Sequence, residues 1–453
     1  MAGQAPLRPD DFTAIRDRAV AKLQALVRIP TVSHEDPAQR DEKPFLEFTE
    51  ELARQFPRVH AELELTEIPG HALLFRWAGH SAERPVVLMA HIDVVPVDPD
   101  APWTHPAYDA DIVDGHLWGR GTLDDKGCLA GICEAVERLL EQGFTPAQDV
   151  WLSFGSTEEV SGETAELAVE ELRTRGVAPW FVLDEGGAVA WEAFPGIKAP
   201  LGVVGISEKG TTTLELRVDG RGGHSSTPAR MDAVARLARA VVRLDGRPMP
   251  PQLPEATVSL LARLAPHAPL PLRPVLSNAA RLKPALVRAL LAAGPEAAAM
   301  ARTTIAVTTL SGSPAHNVIA STAKAGVNVR VMPGDTVGGV VEHVTKAIHD
   351  DKVTVTVVEG VEASPVSPVD DAFRLIESTI AEAFPDAVPT PYVMMAATDS
   401  RFFTRICSRV YRFAPFRMTK AQRQAIHSYD EHIGLDDFAD GVLWYQRLIE
   451  RIA

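Results

Sequence analysis

Cysteine is scarce in this chain. It has three in 453 residues, Cys128, Cys133 and Cys407. Their spacing matches no metal-binding pair and leaves one without a mate. A disulfide framework is therefore not expected, and a reducing, cytoplasmic setting is. Positive charge is also short: 45 Lys and Arg stand against 60 Asp and Glu, a net charge of −15. No basic stripe is available to neutralise phosphates, which argues against nucleic acid as a partner. No apolar run approaches the roughly 20 residues of a membrane span, so no membrane partner is expected. The start, MAGQAPLRPDDF, is polar and lacks an apolar signal core. Repeats and low-complexity tails are absent. So is a His-Glu-x-x-His helix, which sets aside a single-zinc peptidase of that kind. What remains is ordinary globular composition, 46% hydrophobic and 23% charged, enough for two or three domains.

Along the chain, apolar residues recur at helical spacing through Ala14, Ala19, Leu23, Leu26 and Val27, and again through Phe45, Phe48 and Leu52. Strand-like alternation follows over residues 63–76. The run Val86-Val87-Leu88-Met89 then reads as a buried strand ending in Ala90-His91-Ile92-Asp93. A turn, Gly119-Arg120-Gly121-Thr122-Leu123-Asp124-Asp125-Lys126-Gly127, precedes an apolar helix over 128–140. Residues 149–155 form another buried strand that runs into Glu158-Glu159, and a helix over 163–174 leads to a strand ending in Asp184-Glu185-Gly186. Strand, acidic loop and helix repeat, the alternation of a mostly parallel α/β sheet.

The rhythm changes near Ile206. Strands at 211–218, 303–310, 323–331 and 353–358, with helices at 232–244 and 336–349, give the βαββαβ order of a ferredoxin-like domain. The expected organisation is a catalytic domain over residues 1–205, an inserted lid over 206–360 and the rest of the catalytic domain over 361–453. A proline-rich and then Ala/Leu-rich helical segment at about 248–302 interrupts the lid. Core, interface or pocket wall are all open for it. Hinges are expected near Gly205 and Val358.

A lone histidine or aspartate after a strand is ordinarily a turn residue or a satisfied polar group. Here several successive strand ends offer imidazoles or carboxylates to one edge of one sheet. Crowding them there costs on the order of several kcal/mol unless cations neutralise them. Imidazole with carboxylate is a mixture zinc accepts.

Ala90-His91-Ile92-Asp93, the Gly119–Gly127 turn, Glu158-Glu159, Asp184-Glu185-Gly186 and the late His427 together resemble the co-catalytic dizinc metallopeptidase and aminoacylase family. That family includes aminoacylase, acetylornithine deacetylase and glutamate carboxypeptidase. Ile206-Ser207-Glu208-Lys209-Gly210, Gly223-His224-Ser225-Ser226, Pro365-Val366-Ser367-Pro368 and Thr398-Asp399-Ser400-Arg401 bring the finer resemblance to its carboxypeptidase S and N-fatty-acyl-amino-acid hydrolase branch.

The resemblance implies a three-layer α/β/α zinc-peptidase catalytic domain with an inserted ferredoxin-like α+β lid. It implies two Zn2+ per chain, with Co2+ or Mn2+ able to substitute. Asp124 would bridge the pair, His91 and Glu159 would complete one ion, and Asp184 and His427 the other. Asp93 would accept the N–H of His91. Glu158 would be the general base for a hydroxide held between the metals. His224 would reach the reacting centre from the lid, Asn317 and Arg330 would bind a substrate carboxylate, and Arg401 would add a further contact. Asp125 and Lys126 are read as structural. The implied activity is hydrolysis of an amide beside an amino-acid carboxylate, in an N-acyl-amino acid or a small peptide. A homodimer through the lid is implied too. The alternative is a non-catalytic relative that keeps the fold, and loss of Glu158 or of a ligand would have favoured it.

Overall fold

Residue alternation in the strand Ser81–His91 explains the layering. Val86, Leu88 and Ala90 face one hydrophobic core, and Val87 and Met89 face another on the opposite side of the same sheet. Both faces must therefore be covered by helices. The computed structural model describes residues 9–194 and 196–453, and it shows that arrangement. Pro9–Val27, Lys126–Glu141, Asp371–Ala383 and Leu435–Glu450 pack together on one face. Glu163–Thr174 and the short Ser400–Phe403 helix cover the other. The protein is a three-layer α/β/α structure carrying a smaller α+β sheet.

The large sheet has ten strands. Its centre is parallel: Gln148–Gly155, Ser81–His91, Phe181–Asp184 and Val410–Arg412 lie side by side. Its flanks are not. Ala72–Trp77 runs antiparallel to both Glu64–Ile68 and Gln148–Gly155, and Ala188–Ala190 runs antiparallel to Leu201–Glu208. The sheet is thus mixed where the sequence suggested mostly parallel. Short connections such as Pro69-Gly70-His71, with Gly70 at φ 89°, return the chain as hairpins. The parallel centre puts the C-terminal ends of its strands, and the loops after them, on one edge.

Residues 210–360 build a separate four-stranded antiparallel sheet, in the order Thr304–Ser311, Thr322–Val331, Gly210–Asp219, Thr354–Gly360. The helices Ala233–Asp245 and Val337–Ile348 close its core over Leu214, Leu216, Val327 and Val329. Only Lys209 separates the last residue of the large-sheet strand Leu201–Glu208 from this sheet.

The helical segment within it turns away from the small sheet. Glu255–Leu264 and Lys283–Ala292 pack Leu261, Leu264, Leu286 and Leu290 against Ile197, Leu201 and Val388 at the side of the large sheet. Of the three readings open to the sequence, this apolar face is a core. Among the described residues no helix is long and apolar enough to cross a membrane.

Gly127 shows how tightly the Asp124 turn sits on its helix. A Cβ there would lie 2.3 Å from the Thr122 carbonyl oxygen, a backbone atom that cannot swing aside. Gly127→Ala is expected to lower the denaturant-derived unfolding free energy by about 1–3 kcal/mol through overpacking. An unchanged midpoint in urea would show that the turn has slack.

Candidate metal centre

His91 ends its strand buried, with Nε2 3.0 Å from Asp124 Oδ1. The other oxygen of the same carboxylate, Asp124 Oδ2, lies 2.9 Å from His427 Nε2. One carboxylate therefore addresses two imidazoles from opposite ends of the chain. Glu159 Oε2 lies 3.1 Å from His427 Nε2, and Glu158 Oε2 lies 3.9 Å from His91 Nε2. Ligand-type atoms of His91, Asp124 and Glu159 all fall within 4.8 Å of one another. Glu159 Oε1 is buried without a hydrogen-bond partner. A buried, unpartnered acid oxygen beside two imidazoles and a two-faced carboxylate fits a divalent cation centre.

Glu159 stands within reach of both imidazoles, grouped with His91 and Asp124 as the resemblance implied and also in contact with His427. The resemblance also grouped Asp184 with His427, whose Nε2 meets Asp124 and Glu159. Asp184 belongs to the strand beside that of His91, where Leu183 lies opposite Leu88. Its Oδ2 accepts the Ser400 amide at 2.9 Å. The neighbouring Glu185 was quoted in the motif but given no role. Burial pushes its carboxyl well above the usual range, and Asp124, Asp125, Asp184 and Glu158 push the same way.

Asp93 meets His91 through both main chain and side chain: His91 Nδ1 lies 2.9 Å from the Asp93 main-chain oxygen and 3.4 Å from its Oδ1. The buried carboxylate also accepts the amides of Glu158 at 3.2 Å and Glu159 at 3.1 Å, which fixes the loop that carries both acids.

Arg401 was expected to touch substrate. In the structure its Nη2 donates to the Ser161 carbonyl at 3.1 Å and its guanidinium lies over the Phe402 ring, so it braces the far side of that loop. His224 and Asn317 come together where the strand Gly223–His224 pairs with Val318–Ile319 and the Ser225 amide donates to the Asn317 carbonyl. Both are exposed, and His224 Nδ1 contacts Ser226 Oγ at 2.8 Å. Arg330 Nη1 donates to Thr211 Oγ1 across the small sheet at 2.8 Å. Among the described residues, none of these three touches the acid cluster within this chain.

Glu431 is a residue sequence reasoning missed. Its buried Oε1 accepts the amides of Gly121, Leu123 and Asp124 at 3.1, 2.8 and 3.1 Å, and its Oε2 takes Arg120 Nη1 at 2.6 Å. Arg120 also donates to the Ser428 carbonyl. This clamp ties the Asp124 turn to the His427 loop, where His427 has a left-handed backbone at φ 60°. A glutamate four residues after a histidine carries no periodic signal that could have marked it.

Electrostatics follow from crowding. Burial alone would lower the His91 imidazole, but Asp124 and Asp93 outweigh it and hold it well above the ordinary value. Asp124 and Glu159 raise His427 to about 10. Burial, reinforced by Asp399, Asp124 and Glu159, pushes the Glu158 carboxyl well up, and burial raises Glu159 too. A group whose folded pKa is raised stabilises the fold below its unfolded pKa and loses that contribution as pH climbs to the folded one. The metal-free protein should therefore lose thermal stability between about pH 6.5 and 10 as His427 deprotonates. Saturating divalent cation should flatten that slope. A flat metal-free Tm profile over this window would contradict the cluster's charge state.

The profile of peptidase family M20/M25/M40 matches residues 87–451. The chain is 36% identical over 450 residues to probable carboxypeptidase S-like 2 of Dictyostelium discoideum, covering 97% of this chain and 86% of that protein. It is 35% identical over 444 residues to the N-fatty-acyl-amino acid synthase/hydrolase PM20D1 of Xenopus tropicalis, covering 96% and 86%. The crystal structure of the M20 family metallo-carboxypeptidase Sso-CP2 from Sulfolobus solfataricus superposes with a TM-score of 0.69 at 17% identity, over 95% of this chain and 98% of that one, which shows a shared fold. With the profile spanning most of the chain and these relatives aligned nearly end to end, the protein is a member of peptidase family M20/M25/M40.

Proposed function

We propose that this protein hydrolyses the amide that joins an acyl group to an amino acid with a free carboxylate. Its substrate would be an N-acyl-amino acid or a small peptide cut at its C-terminal side. The observation that carries this reading is Asp124, whose two oxygens face His91 and His427 while Glu158 stands alongside. The names of the aligned relatives, carboxypeptidase S-like and N-fatty-acyl-amino acid synthase/hydrolase, support the substrate class.

His91, Asp124, Glu159, His427 and an acid from the Asp184-Glu185 turn would hold two divalent cations. Zinc suits the mixed imidazole and carboxylate set, and cobalt or manganese could replace it. When bound, such a pair supplies Lewis acidity to the scissile carbonyl and acidifies water. The chain's own residues do the rest. Glu158 carries its proton at the carboxylate, taking it from water and returning it to the leaving nitrogen. Asp93 orients the Glu158 loop through the two amides it accepts. Arg330 offers a guanidinium fork to the substrate carboxylate, with Asn317 as a neutral donor. His224 is exposed and remote from its own cluster's contacts, so we propose that it serves the site of a second copy joined through the lid, donating to the developing oxyanion.

A hydrolysis screen of metal-loaded protein, pairing fatty-acyl and acetyl amino acids with their carboxamides and with dipeptides, tests the class. Turnover of the free-acid substrates with the carboxamides left intact is expected, and turnover of neither would reject the reading. Glu158→Gln should cut kcat by roughly 10²–10⁴ while the cation content stays near that of the parent.

The turn's two acids can be separated by cation titration. Glu185→Gln is expected to weaken binding of one equivalent more than Asp184→Asn, whose Oδ2 already serves the Ser400 amide. The reverse order would return the ligand role to Asp184.

A further inference from the structure

The strand Leu201–Glu208 leaves the large sheet at Glu208, and the lid sheet begins at Gly210. The returning segment is laced to the same place. Glu208 N donates to Ser364 Oγ at 2.8 Å, Ser364 N donates back to the Glu208 carbonyl at 3.1 Å, and Ser207 Oγ donates to the Ser364 carbonyl at 2.8 Å. Lys209 Nζ donates to the Ala299 and Arg302 carbonyls at 2.6 and 2.9 Å, which fastens the end of the helical segment to the same crossing. Both lid connections and the helical segment thus meet at two residues.

The Glu208 side chain turns the other way, into the catalytic layer. It is buried, and its Oε1 receives Thr398 N at 2.9 Å, Thr398 Oγ1 at 2.8 Å and Arg412 Nε at 3.0 Å. With its proton spent on Glu208, Thr398 Oγ1 accepts from Ser400 Oγ at 2.6 Å. Ser400 N donates to Asp184 Oδ2 at 2.9 Å. Arg412 lies opposite Asp184 in the parallel pairing of Val410–Arg412 with Phe181–Asp184.

Between Thr398 and Ser400 stands Asp399, also buried, wedged between the two ends of the Glu158-Glu159 loop. A Cβ on Gly155 would come 2.9 Å from Asp399 Oδ2, and one on Gly162, at φ +72°, would come 2.3 Å from Oδ1. Glycine at both ends is what admits it. The turn 398–400 therefore touches the Asp184 carboxylate through one residue and the loop of the proposed general base through the next.

The Glu208–Arg412 pair is a poor stabilising device. Both side chains are fully out of solvent, and Glu208 Oε2 and Arg412 Nη2 have no hydrogen-bond partner. A buried pair with unmet valences is matched or bettered for stability by apolar residues. What the pair does impose is geometry, through the three donors that Glu208 Oε1 gathers.

We infer that Glu208 is a positioning residue. From the root of the lid it fixes the Thr398–Ser400 turn, and through that turn it sets both Asp184 and the Glu158-Glu159 loop. The hinge strand and the acid cluster are thereby registered as one unit. This inference rests on the metal-centre reading proposed above.

The test starts with Thr398→Val, which keeps shape and the backbone donor, leaves the Glu208–Arg412 pair in place and cuts the link to Ser400. The binding of Co2+ and Zn2+ is titrated on the purified full chain, and kcat and KM are measured on an N-acyl-amino acid. Affinity for one of two cation equivalents should fall about tenfold or more, and kcat should drop with KM within about twofold of the parent. Wild-type affinity and turnover in Thr398→Val would overturn the assignment.

Glu208→Gln leaves Arg412 unpaired and should lose Tm. The double variant Glu208→Gln/Arg412→Met should regain Tm and leave cation affinity impaired. If Tm and affinity recover together, Glu208 is merely structural and the inference fails. Should the parent hydrolyse no N-acyl-amino acid at all, the function proposed above falls, and the cation titration still decides this point.

Discussion

The centre depends on one buried carboxylate that does no chemistry. Glu431 collects three amides of one turn and a guanidinium, and in doing so it draws the turn bearing Asp124 against the loop bearing His427. Charge-assisted bonds of this kind are roughly twice as strong as neutral ones and shorter. They join two loops separated by about two-thirds of the chain. Without the clamp, Asp124 would keep its place on the Lys126–Glu141 helix, but His427 would lose its bearing on it.

The second constraint is the cost of assembling acids. Asp93, Asp124, Asp125, Asp184, Glu158, Glu159, Glu185 and Asp399 converge on one region, and the buried members of the set raise one another's proton affinity. Asp399 is pushed to about 7 by burial and by Asp184 and Asp93. Such a set is tolerable as a mixture of protonated acids and imidazolium, or as carboxylates around cations. The fold accommodates both, with His91 and His427 carrying the charge that cations would otherwise supply. Backbone amides serve several buried acids: two donate to Asp93, three to Glu431, and one each to Asp184 and Asp125.

Much of this was legible in the sequence because it is periodic or local. The unbroken apolar run Val86–Met89 announced a buried strand, and the βαββαβ order of the strands and helices from about residue 211 onward announced the small sheet. Acids at strand ends announced the cluster. Three things were not legible, each for a physical reason. The antiparallel flanks of the large sheet are set by tight turns such as the one at Gly70, whose local signal does not say which neighbour the hairpin joins. The division of ligands depends on side-chain direction, and Glu159 stands within reach of both His91 and His427. Arg401 looks the same in a motif whether it faces substrate or, as here, the Ser161 carbonyl.

The helical segment between residues 255 and 299 has a further meaning for how such a protein can change. Its core shares Leu201 and Val388 with the large sheet, and Lys209 pins its far end. It is rooted against the large sheet although its sequence lies between strands of the small one. Excision would strip cover from that sheet, so the segment cannot be lost as freely as an ordinary surface insertion. Inserted residues would be borne instead at its exposed bends, such as the one carrying Leu270 at 76% exposure, away from the large sheet.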